Sequence, residues 1–130
     1  ANKVHSIDKT VKASEEIFVK NKKGKKVLLI AKIDTGAWSS SIDISLAKKL
    51  GLYSKSKNLS VRKKISALGE EVRPVIEVTF WLLGEKINTT MTISDRSKLS
   101  FPIIIGRVDL DGFLVDPTID PLKRIKAKKW

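Results

Sequence analysis

Apolar positions along the chain come in short runs separated by turns rich in lysine, glycine and serine. Glu16-Ile17-Phe18-Val19 and Val27 to Ile33 have strand length, and the lysine-rich stretch between them carries Asn21 and Gly24, which predicts a hairpin. From Val75 to Leu83 the residues alternate, with Val78, Phe80 and Leu82 on one face. Gly84-Glu85 then turns the chain into Lys86 to Ile93, where Thr89, Thr90 and Thr92 favour extended backbone. Gly69, between Ile65 and Val72, marks another hairpin, and the continuous apolar run Phe101 to Ile105 predicts a strand buried on both faces. One segment reads differently. Ile44 to Leu50 places Leu46 and Leu50 on one helical face, with Asp43 or Ser41 as its cap and Gly51 as its stop.

These periods predict a mostly β fold with one or two short helices. A single domain over 15–120 is expected, preceded by an arm at 1–14 (in which Val4 to Ile7 alternates weakly, as an edge strand would) and followed by a basic tail at 121–130.

Composition narrows the chemistry. The 130 residues contain no Cys and a single His, His5, expected at the surface. Thiolate nucleophiles, disulfides and thiolate metal sites are thereby excluded, and neither a His-based zinc site nor a Ser-His-Asp triad is expected. Asp109-Leu110-Asp111-Gly112 lacks the spacing of a calcium loop, so no metal and no cofactor are expected. The net charge of +12, from 26 Lys and Arg against 14 Asp and Glu, favours anionic partners. No apolar run has the ~20 residues of a membrane span. With no signal-peptide pattern at the start, a prokaryotic cytoplasmic location is the expectation.

The candidate chemistry sits at the end of the second strand. Val27 to Ile33 delivers Asp34 into a tight Thr35-Gly36 turn, where backbone N–H groups can approach a carboxylate. Some seventy residues later, Phe101-Pro102-Ile103-Ile104-Ile105 runs into Gly106-Arg107. This pair of motifs, strand–Asp34-Thr35-Gly36-Ala37 and Ile104-Ile105-Gly106-Arg107-x-x-Leu110, resembles the retropepsins, the single-domain aspartic proteases of retroviral type. The wider frame, Asp95-Arg96-Ser97-x-Leu99-x-Phe101-Pro102 through Gly112-Phe113-Leu114-Val115-Asp116-Pro117, looks closest to a bacterial and archaeal branch commonly labelled ATP-dependent zinc protease. The residues here do not support that label.

The resemblance implies a closed retropepsin-like β-barrel and hydrolysis of peptide bonds. Such chemistry needs two carboxylates sharing one proton. With one Asp-Thr-Gly per chain, it implies a homodimer in which Asp34 meets its own copy. It further implies that Thr35 locks the two turns together and Gly36 lends N–H groups to the pair, with Ala37 beside them. Gly106 and Arg107 would support the turn from below, with Arg107 paired to an acidic side chain. Trp38 stands near where many viral members carry that acid, and is expected in a subsite or at the interface. The hairpin at Ala67, Leu68 and Gly69 would be the flap over bound peptide. Arg62, Lys63, Lys64 and Arg73 would rim the cleft and favour acidic peptides, a preference in keeping with the glutamate-ligase association of some members of that branch. The alternative is a non-catalytic module on the same fold, binding nucleic acid or an acidic protein through its basic surface. The absence of a linear basic and aromatic motif makes nucleic acid the less favoured partner.

Overall fold

The computed structural model describes residues 9–54 and 60–118. His5 and the basic tail lie outside the described residues. Among the described residues nine strands and one helix follow in order: β1 (Thr10–Val11), β2 (Ser14–Lys20), β3 (Lys26–Ile33), β4 (Ser41–Asp43), α1 (Ile44–Lys49), β5 (Ser60–Ser66), β6 (Gly69–Leu82), β7 (Glu85–Ser94), β8 (Ile103–Ile105) and β9 (Leu114–Val115). The expected hairpins are present, with β2 antiparallel to β3, β5 to β6 and β6 to β7.

Strand order β2-β3-β8-β4-β7-β6 closes on itself because β2 also pairs with β6, Ile17 opposing Leu82 and Val19 opposing Phe80. Six strands thus form a barrel without free edges between them. Period two places Ile17, Val19, Val78, Phe80 and Leu82 inside, all buried, with Met91 and Ile93 from β7. Phe101 to Ile105 behaves as its unbroken apolar run predicts: Ile103, Ile104 and Ile105 of β8 are buried on both faces. A lone strand pair, β1 with β9, lies parallel beside the barrel and contributes buried Val11.

Of the two cap candidates, Asp43 is the one in place. Its carboxylate accepts the N–H groups of Ser45 (2.9 Å) and Leu46 (3.1 Å) in α1 and, on the other oxygen, that of Arg96 (2.7 Å). Such a cap contributes ~1 kcal/mol, and here it also ties the helix to the loop after β7. Ser41 instead donates to the Thr92 carbonyl and meets the Ser94 hydroxyl at 3.0 Å.

Candidate active site

β3 and β8 run parallel, Ile33 opposite Ile105, so both strands end at the same level. Beyond them the chain turns at Asp34-Thr35-Gly36 and at Gly106-Arg107, and the two turns are sewn together. The Asp34 N–H donates to the Ile105 carbonyl (2.9 Å), Arg107 N–H to Ala37 O (2.9 Å) and Val108 N–H to Trp38 O (3.0 Å). Within the first turn, Ala37 N–H donates to Asp34 O (3.1 Å), and Gly36 N–H donates to Asp34 Oδ1 (3.0 Å). A Cβ on Gly36 would stand 3.2 Å from that same oxygen, so glycine keeps the carboxylate uncrowded.

Gly106 is the tightest point. A Cβ there would lie 2.5 Å from the Ser39 carbonyl carbon, inside contact distance of a backbone that cannot give way. Ser40 lies next along that segment, fully buried. Its hydroxyl accepts the Gly106 N–H (3.1 Å) and donates to Asp109 Oδ2 (2.6 Å). The buried carboxylate of Asp109 thus holds a hydroxyl that holds the Gly106 backbone. Sequence reading does not bring these two residues together. Ser40 sits within a run of serines, and nothing in the segment around Asp109 points to a serine sixty-nine residues away.

The resemblance implies an acidic partner for Arg107, and the structure shows two other neighbours. Among the described residues no ion pair joins it to a carboxylate. Its Nη1 donates to the Thr35 carbonyl (2.7 Å), and its guanidinium lies 5.5 Å from the centre of the Trp38 ring. The ring and the guanidinium form a cation–π arrangement. Trp38 itself remains 67% exposed at the edge of the turn.

The β5–β6 hairpin turns at Ala67-Leu68, with Leu68 99% exposed. Residues Gly69 to Pro74 of β6 pair with β5 alone, so this part of the hairpin stands off the barrel. Register separates its two sides. Val61, Lys63 and Ile65 share a side with Val72 and Pro74, which continues the inward face of Ile76. Arg62 and Arg73 point to the other side. The expected cationic rim is therefore divided, and two of its members are already paired: Lys63 with Glu70 (3.6 Å), and Arg73 with Glu71 through two nitrogens (2.9 and 3.2 Å). Arg62 reaches Thr90 on the barrel wall (3.4 Å).

A further cation is Arg96, half-buried, with Nε donating to the Phe101 carbonyl (2.8 Å). Burial draws its guanidinium below the usual arginine range, while the carboxylates of Asp34 and Asp43 push it back up and Arg73 draws it down. It stays charged at any working pH. Arg96 is thus within the field of Asp34, and the loop order Asp95-Arg96-Ser97 is the only sequence trace of it.

No family model matches the chain, and no curated protein matches it. Solved structures do. The EIAV protease in complex with the inhibitor HBY-793 superposes with a TM-score of 0.56 at 21% identity, covering 75% of this chain and 84% of that one. The fold is retropepsin-like. The Simian Foamy Virus (mac) protease gives 0.53 at 19% identity over 75% of this chain and 91% of its own. The Legionella pneumophila protein Lpg0085, of unknown function, gives 0.55 at 18% identity and covers 85% of this chain and 94% of that one. Among the described residues no helix is long and apolar enough to cross a membrane.

Proposed function

We propose that the protein is an aspartic endopeptidase, active as a homodimer in which Asp34 of each copy faces the other. The observation that carries this reading is the turn at the end of β3. There Asp34 is held by Gly36 N–H at 3.0 Å and by its own N–H on Ile105, in the crossing of two cross-bonded turns. A single fixed carboxylate is half of the required apparatus, and two-fold symmetry supplies the other half.

In the paired site one carboxylate is ionised and takes a proton from water as that water attacks the peptide carbonyl carbon. The other is protonated and donates to the carbonyl oxygen. Collapse of the tetrahedral intermediate then breaks the C–N bond, with a proton passing to the departing amine. Gly36 orients the carboxylate and leaves room beside it. Thr35 and Ala37 shape the turn, while Gly106 and Arg107 support it. Trp38 and the tip at Ala67, Leu68 and Gly69 bound the peptide. The substrate preference is for acidic peptides, drawn by the +12 field and met by Arg96, whose Nε donates to the Phe101 carbonyl and whose charge acts on Asp34. In this reading the chain belongs with the bacterial and archaeal retropepsin-like branch, and no metal takes part in the step.

The test is a mass-spectrometric cleavage profile on a mixed peptide pool containing acidic sequences, from about pH 3 to about pH 7. Wild type is compared with Asp34→Asn, which keeps the carboxylate's shape without its proton chemistry. Cuts in wild type that vanish in the variant support the proposal. Equal cutting by both, or none by a folded dimer, overturns it.

A further inference from the structure

On the outer wall of the barrel, one line of side chains has no part in the peptidase reading. Phe18 opposes Leu28 across β2–β3 and Trp81 across β2–β6, and Trp81 opposes Lys86 across β6–β7. Leu28, Phe18, Trp81 and Lys86 therefore stand in one row across four strands spaced ~4.8 Å apart. The row faces outward. Ile17 and Val19, beside Phe18, are fully buried, whereas Phe18 is 44% and Leu28 52% exposed. The next row towards the β2–β3 turn holds the pair Lys20 and Lys26. The Lys26 ammonium lies 4.2 Å from the Trp81 ring centre and that of Lys86 6.0 Å. Leu28 is six residues before Asp34, or ~20 Å along an extended strand, so this face is separate from the catalytic turn.

Two properties define an occupant. The lysines call for an anion, and the apolar row is a platform on the outer face of a sheet. A bilayer would be entered first by the β2–β3 turn, but Asn21, Lys22, Lys23, Gly24 and Lys25 offer it no apolar side chain. A flexible polyanion with flat apolar units fits both properties. We propose that this face binds single-stranded nucleic acid. Phe18 is the open stacking platform for a base, Trp81 with Lys26 seated on it borders the next position, and Lys20, Lys26 and Lys86 meet phosphates. The basic and aromatic residues come from four strands, so their interleaving exists in space and not along the chain.

The experiment is fluorescence anisotropy of the full chain with a labelled oligothymidylate of about 10 nucleotides, across a salt series. Phe18→Ala is expected to weaken binding about tenfold and Phe18→Tyr to restore it. Lys20→Gln with Lys26→Gln should weaken binding and flatten the log–log salt slope by about 1.4. The control pair Lys48→Gln with Lys98→Gln carries the same charge change and should stay within about twofold of wild type. The proposal is overturned if Phe18→Ala binds like wild type, or if the control pair weakens binding as much as the Lys20 and Lys26 pair. It is also overturned if phosphatidylserine vesicles capture the protein in preference to the oligonucleotide through these residues. Should Phe18→Ala fail to fold, Trp81→Phe with the lysine pairs decides the same question. None of these readouts depends on peptide cleavage, so the result stands apart from that for Asp34.

Discussion

The turn that carries Asp34 and the hairpin that carries Leu68 are built on opposite terms. Below Asp34, Ser40, Asp109 and Gly106 are buried, and each polar group has its partner within hydrogen-bond distance. In the hairpin, Val61, Ile65, Leu68 and Val72 all face solvent, and the ion pairs Lys63–Glu70 and Arg73–Glu71 lie within the hairpin itself. The first region spends its contacts on fixing one carboxylate. The second leaves apolar surface uncovered, as a region that opens and closes over a ligand requires. The proposed peptidase reading calls for both, because positioning demands rigidity and admission of a peptide demands a low-stability element.

Substitutions can break this contrast or sharpen it. The largest effect is expected from Gly106→Ala, since a Cβ 2.5 Å from Ser39 backbone forces the two turns apart. A loss of at least ~3 kcal/mol is expected in urea unfolding, with cleavage abolished. Ser40→Ala comes next. It strands the Gly106 N–H and the Asp109 carboxylate, and about 2 kcal/mol should be lost by the same measurement. An unchanged midpoint would mean that the buried hydroxyl does not hold the turn. Leu68→Ala should shift stability by less than ~0.5 kcal/mol while lowering kcat/KM on peptide, a split that marks the hairpin as a substrate contact. Equal losses in both would make it part of the fold.

The smallest effect concerns Asp95, exposed and held below its usual carboxylate value chiefly by the Ser97 hydroxyl, then by the Ser97 N–H, with Lys98 adding to it. A depressed folded value gives stability that is present above the unfolded carboxylate pKa and lost as pH falls through the folded one. Asp95→Asn should therefore melt slightly below wild type near neutrality, and the two curves should converge in acid.

Much of the barrel was legible because its period is local. Alternation at Val78, Phe80 and Leu82, the hairpin turn at Asn21 to Lys25, and the capped helix after Asp43 each depend on neighbours within a few residues. The Asp34 turn was also legible, since Asp-Thr-Gly after an apolar strand is a contiguous pattern. The hairpin cations were not. Arg62, Lys63 and Arg73 look alike in sequence, yet strand register sends Lys63 to one side and the two arginines to the other, and Glu70 and Glu71 occupy two of them.

By itself the sequence determined the longer strands, the helix and the position of one carboxylate in a tight turn, all consequences of spacing within a single segment, whereas the short β1, β4 and β9 exist only through their partners. Tertiary structure alone decided what stands around that carboxylate. Ser40 meets Asp109, Arg107 meets Thr35 and Trp38, and Arg96 comes within the field of Asp34, in each case from separate segments. It also assembled the Leu28, Phe18 and Trp81 row from three strands. The physical reason is that hydrogen bonds and charge fields act over distances in space, and only closure of the barrel sets which distant residues share that space.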